Sequence, residues 1–138
     1  MTQFESSIKH IPYAQELVYT KLSDLRNLER IKDKLPKDKI QDFSCDEDSV
    51  TLSVSPIGEL ILAIIDREAP KCLKFETRKS PVGMNLWIQI LPVTPSQCKL
   101  KLTVRAELNM IMKGVVSKPL KEGLEKMADM LAMIPYDK

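Results

Sequence analysis

This 138-residue chain is poor in histidine and cysteine, the side chains most often used for proton transfer near neutral pH, thiolate attack and zinc binding. His10 is the one histidine, a group that could move a proton near neutral pH. It has no obvious Asp or Ser partner in the sequence and reads as a surface or strand-end histidine. Cys45, Cys72 and Cys98 are odd in number and far apart, which argues against a disulfide framework or a CxxC metal knuckle. Three reduced thiols in the cytoplasm are the expectation. A zinc site draws on several His and Cys ligands, which this chain could gather only from scattered positions, so no metal and no other cofactor is expected. Asp66 shares the parity of Leu62 and Ile64 but is followed by Arg67 and Glu68, and reads as a solvated strand end. Arg105 and Glu107 suit cross-strand ion pairs. There is no Gly-rich phosphate loop and no Ser nucleophile elbow. The residues single out no catalytic site.

Residues of the kind that contact a ligand are easier to find. Trp87, the one tryptophan, shares a strand face with Asn85 and Gln89. If that face is concave, the three form a polar and aromatic contact able to orient an apolar molecule. If it is convex, they cover the outer surface of a sheet or an interface. Met110 and Met112 precede a C-terminal stripe that contains Leu120, Leu124 and Met127, with Met130 and Met133 nearby. Methionine adapts to promiscuous pockets, although core packing is the ordinary use of such a stripe. Gly123, at the edge of the stripe, costs about 1 kcal/mol against Ala in a helix interior. A close approach to a sheet, or room for a ligand, would account for it.

The elements that must position these groups follow from periodicity. Residues 3 to 11 alternate as a strand, and Ile11 falls on the wrong parity, which a bulge near His10 would repair. Pro12 ends it. Ala14, Leu17, Val18, Leu22 and Leu25 have helical spacing, interrupted by a stop and new N-cap at Ser23-Asp24. A second short helix carries Leu25, Leu28 and Ile31 and dissolves into a solvated loop over Lys32 to Lys39. Six strands follow, at 40–45, 50–54, 59–67, 73–77, 84–91 and 98–108, with turns at Asp46 to Ser49, Pro56 to Gly58, Ala69 to Lys71 and Ser80 to Gly83. Residues 59 to 67 are apolar on both faces until Asp66, as in a covered strand. Pro92 to Ser96 reads as a loop. The last element is a helix from about Met112 to Ile134, with Val116, Leu120, Leu124, Met127, Leu131 and Ile134 in one stripe. Lys118–Glu122, Lys121–Glu125 and Glu122–Lys126 stand at i,i+4 spacing opposite. Pro119 suits a first turn with Ser117 as N-cap; an earlier start, at Asn109 or Ile111, would make it a kink.

Composition narrows the function classes. The length fits one domain, 1–138, with one core. A net charge of +2 is too balanced for a nucleic-acid binder. Met1 to Glu5 lack the basic and apolar regions of a signal peptide. The longest apolar run, Leu60 to Ile65, is far below the ~18 residues of a membrane span. The C-terminal helix mixes charge signs on its polar face, which favours docking on its own sheet over a membrane.

The order of elements, together with Ile11-Pro12-Tyr13-Ala14-Gln15-Glu16-Leu17-Val18-Tyr19 and Leu22-Ser23-Asp24-Leu25, resembles the opening of the START/polyketide-cyclase-like superfamily (SRPBCC). Val54-Ser55-Pro56-Ile57-Gly58 before an apolar strand and Met112-Lys113-Gly114 before a long helix are similar to it as well. The resemblance spans nearly the whole chain. It implies an α+β helix-grip fold: a curved antiparallel sheet of about seven strands, two short helices after strand 1 and a long C-terminal helix. It also implies a cavity between sheet and helix that binds lipids or other small apolar molecules. It transfers no catalytic motif. Binding or carriage of an apolar ligand therefore stands first, with Asn85, Trp87, Gln89, Met110, Met112, Leu120, Gly123, Leu124 and Met127 as cavity candidates. A cyclase- or dehydratase-type enzyme and a protein-interaction module are the alternatives, because fold alone does not choose among functions.

Overall fold

The computed structural model describes residues 2–35, 37–55 and 57–138. The chain runs β1 (Thr2–Glu5), β2 (Lys9–Ile11), α1 (Gln15–Leu22), a 3-10 helix (Leu25–Lys34), β3 (Ile40–Cys45), β4 (Ser49–Val54), β5 (Gly58–Glu68), β6 (Cys72–Lys79), β7 (Met84–Thr94), β8 (Gln97–Ala106) and α2 (Met110–Ala132). The readings at Pro36 and Pro56 lie outside the described residues. One antiparallel, unclosed sheet has the order β1-β8-β7-β6-β5-β4-β3, with β2 also paired to β8.

The expected first strand is two strands, which brings the sheet to eight. Glu5 opposes Thr103 and Lys9 opposes Leu100, so Ser6, Ser7 and Ile8 stand against Leu102 and Lys101. The extra residue lies here and not at His10, and it restores Ile11 to the buried face. Ser6 bridges the gap: its N–H donates to the Leu102 carbonyl (2.9 Å), and its Oγ accepts from the Leu102 N–H (2.9 Å).

Ser23 closes α1, and the Asp24 carboxylate caps the 3-10 helix by accepting from the Arg26 N–H (3.1 Å). Leu25, Leu28 and Ile31 are its buried residues. Their spacing of three is the repeat of a 3-10 helix, which stacks i and i+3 side chains on one line. The helix continues to Lys34, beyond the point where alternating charge suggested a loop. In β3 a second bulge sets Asp42 and Phe43 against Leu52. Asp42 takes φ 56°, and Phe43 is buried. Gly58 opens β5 at φ 109°, a conformation that side chains with a Cβ resist.

Two further expectations change at β5 and β7. Ile64 opposes Phe75 but Asp66 opposes Lys74, leaving Ile65 as an unpaired residue that is 41% exposed; the outer face of β5 is only partly covered. β7 runs on to Thr94 through Pro92, which opposes Cys98. β6 ends against β7 at Gln89, so the missing N–H of Pro92 costs no ladder bond on that side.

α2 begins at Met110, with the Asn109 side chain accepting from the Met112 N–H (2.8 Å). Ser117 is therefore not the cap, and Pro119 lies inside the helix. Its ring leaves the Val115 carbonyl without the usual i+4 donor. The helix packs chiefly on β8, β1, β2 and the 3-10 helix. Val116, Leu124, Ala128 and Leu131 are its buried residues. Beyond it, Tyr136 is fully buried, donates its OH to the Leu131 carbonyl (2.5 Å) and meets Tyr13 edge-on at 6.0 Å.

Candidate functional site

The inner face of the sheet divides into two regions. Beneath α1, Leu73, Ile90 and Leu100 are fully buried, and Gln15 Nε2 ties the helix to the Ile90 carbonyl (2.8 Å). Beneath the middle of α2, side chains of β4, β5, β7 and β8 on one side and of the helix on the other line an open space. A cavity of about 380 Å³ lies there, within the ~300–1,000 Å³ range of small-molecule sites.

Its floor is Ile40, Leu52, Val54, Ile57, Leu60, Leu62, Met84, Leu86 and Val104, and its roof is Pro119, Leu120, Gly123, Leu124 and Met127. Pairing explains how one apolar face is assembled. Leu52 opposes Leu60, Val50 opposes Leu62, Leu86 opposes Val104, and Met84 opposes Ala106. Opposed residues share a face in an antiparallel sheet. The charged lining residues are Asp38, Lys39, Glu122 and Lys126. Glu122 and Lys39 lie 3.6 Å apart and link α2 to the start of β3, both about half exposed. They mark the mouth; the interior wall is made of apolar side chains.

Gly123 forms part of the roof, and a Cβ built there meets no atom within 4 Å beyond its chain neighbours and the adjoining backbone of its own helix. No close approach to the sheet requires this glycine. The open space beside it is the cavity.

The structure places Leu120, Gly123, Leu124 and Met127 in the wall and the other candidates outside it. Asn85, Trp87 and Gln89 lie on the convex face, because their neighbours Met84 and Leu86 point inward. There Lys74 Nζ sits 5.4 Å from the Trp87 ring, Gln89 Oε1 accepts from Thr103 Oγ1 (3.0 Å), and Asn85 Nδ2 donates to the Phe75 carbonyl (3.2 Å). Met110 is 91% exposed at the start of α2, and Met112 packs against the core edge. Neither lines the cavity: Met112 precedes Leu120 by about 12 Å along α2 at 1.5 Å per residue, and Met110 lies further still.

The titratable groups gather elsewhere. Lys9, on the inner side of β2, contacts Glu125 and lies 2.6 Å from Asp129. Ser7 donates to Glu125 through its N–H (2.8 Å) and Oγ (2.6 Å). Hydrogen bonds from Lys9 and then from Ser7 hold the Glu125 carboxyl down to about 2, and bonds to Asp129 and Glu125 raise the Lys9 ammonium. Glu122 and Glu125 thus take partners off the helix, and the i,i+4 pairs expected along α2 are not formed among the described residues. Burial pushes the Cys45 thiol up to about 12 and raises Cys72 and Cys98, whose thiols are also free. None is poised as a thiolate. His10 is exposed, opposite Lys99. No group of three His, Cys, Asp or Glu residues among those described could hold a metal, and no described helix is long and apolar enough to cross a membrane.

Solved structures share this fold. A norcoclaurine synthase from Thalictrum flavum, a point mutant in complex with a transition state analogue, matches with a TM-score of 0.71 over 95% of this chain and 91% of its own, at 16% identity. The fold is helix-grip. A START superfamily protein from Mycobacterium smegmatis matches with a TM-score of 0.59 over 94% of this chain and 98% of its own, at 13% identity. A Bacillus cereus protein gives 0.67 over 96% and 94%, at 12% identity. At these identities the likeness is one of fold. No protein-family model matches the sequence, and no curated protein matches it. In this chain the roof holds two residues that are poor helix formers: Pro119 and Gly123 both lie in the stretch of α2 above the cavity.

Proposed function

We propose that this protein binds and carries a small apolar molecule in the cavity beneath α2. The observation that carries the reading is the cavity of about 380 Å³ with apolar floor and roof. Burying a ligand there removes apolar surface of both partners from water, worth roughly 25 cal/mol per Å² before the costs of association. Charged side chains enter the lining only at the mouth, through Asp38, Lys39, Glu122 and Lys126. A catalytic reading would ask for titratable groups converging inside, so a binder or carrier is favoured over a cyclase or dehydratase. A lipid or a lipid-like hydrocarbon fits the wall chemistry. The unit concerned is the chain as one domain, and three free thiols suit a reducing, cytoplasmic setting.

Titration with a fluorescent apolar probe tests this reading. Wild type is expected to bind one probe per chain with blue-shifted emission. Gly123→Phe, which fills the space under the roof, is expected to lose at least tenfold in affinity while keeping its far-ultraviolet circular dichroism. Equal binding by both proteins would refute a ligand site in this cavity.

A further inference from the structure

The first two turns of α2 expose apolar side chains to a degree that folding does not explain. Met110 is 91% exposed, Ile111 81% and Val115 56%. Ile111, Val115 and Lys118 stand at i, i+4 and i+7, so they share one face of the helix. Residues 110–121 read MIMKGVVSKPLK, with Lys113, Lys118 and Lys121 and no Asp or Glu. Glu122, the first acid along the helix, faces Lys39 at 3.6 Å. The mixed signs that characterise α2 as a whole therefore belong to its second half.

We infer that this end of α2 is a docking surface for an anionic lipid bilayer. Apolar Met110, Ile111 and Val115 at the tip, with Lys118 and Lys121 behind them, match the depth profile of a membrane interface. Lys118 lies about 10 Å along the helix from Ile111 at 1.5 Å per residue, and interfacial apolar side chains bury about 5–10 Å. With Met110, Ile111 and Val115 among the acyl chains, the ammonium groups of Lys118 and Lys121 reach the phosphate layer. A second copy of the chain fits less well. Pairing two such tips would set the lysines of both copies against each other. The exposed side chains also fall far short of the ~20–30 residues a side of a stable interface. The inference is independent of what the cavity holds.

Sedimentation of the full chain with vesicles tests it. Binding is expected to vesicles of phosphatidylcholine with phosphatidylserine and not to phosphatidylcholine alone. Affinity is expected to fall about fivefold for each of Lys118→Gln and Lys121→Gln, and to be lost with Met110→Ser/Ile111→Ser. These side chains are exposed, so circular dichroism is expected to be unchanged. No binding to the anionic vesicles, or undiminished binding by the double serine variant, overturns the inference. So does a concentration-dependent dimer that the double serine variant dissolves. Any of these results would leave the probe titration, and the ligand reading with it, intact.

Discussion

Lys9 on β2 and Glu125 on α2 are joined directly, and the same ammonium lies 2.6 Å from Asp129 one turn further along the helix. Together with the two bonds from Ser7 to Glu125, this fixes the α2 face next to Leu124 on the β2 edge of the sheet and leaves the helix spanning the cavity. The Glu125 carboxyl is held at about 2, below its ordinary 4.5. A carboxyl depressed in the folded state contributes stability that is complete above about 4.5 and lost as pH falls toward 2. The Glu125 side chain is 39% exposed, so solvent screening reduces the loss to about 1 kcal/mol. Urea unfolding of wild type and Glu125→Gln is expected to show a difference of that size at neutral pH. The two curves should converge as pH is lowered through that window. A constant difference would show that the carboxylate is not the source.

Ser6 stands in for a backbone carbonyl at the bulge, accepting from the Leu102 N–H at 2.9 Å. Ser6→Ala leaves that buried donor without a partner, at a cost of about 1–3 kcal/mol. Chemical denaturation is expected to show this loss, and hydrogen exchange at the Leu102 amide is expected to accelerate. Unchanged exchange there would mean that another acceptor takes over.

Position 123 separates helix propensity from cavity volume. Gly123→Ala is expected to stabilise the protein by up to about 1 kcal/mol, since a Cβ meets nothing within 4 Å beyond its chain neighbours and its own helix backbone, with probe binding nearly unchanged. Gly123→Phe is expected to fold and to lose the probe. Thermal melts and probe titration on the same samples read both effects. A destabilising alanine would mean that the glycine conformation itself is required.

Much of the fold was legible because strand and helix periods are local. The alternation of Leu100, Leu102 and Val104 in β8 marks an inner face without reference to any other strand. Which face of β7 is concave is not local. Leu86 and Trp87 alternate equally well in either sense, and the choice is made by pairing with Val104 and Thr103. This is why Asn85, Trp87 and Gln89 were candidates although they lie on the convex face. The start of α2 was left between two positions for a different reason. A proline in a first turn is the common case, and here Asn109 caps the helix well before Pro119. Leu120, Leu124 and Met127 were readable from the stripe. The contribution of Lys9 was not, because a long side chain at a strand end gives no periodic signal.

Tyr136 was also missed, lying beyond the last periodic residue yet fully buried. Its OH donates to the Leu131 carbonyl at 2.5 Å. Tyr136→Phe is expected to cost about 1 kcal/mol, the net value of one hydrogen bond, and Tyr136→Ala about 3–5 kcal/mol through the cavity left behind. Denaturant midpoints check both, and equal losses would assign the whole effect to the hydroxyl.

The central claim is that the space under α2 is a ligand site. Native mass spectrometry of the protein purified from its own host tests it most directly, because bound mass and oligomeric state are read together. The expected spectrum is the chain mass plus one small-molecule adduct that collisional activation releases, with Gly123→Phe purified alongside showing the bare chain. The bare chain mass for wild type, or the same adduct on both proteins, would contradict the account.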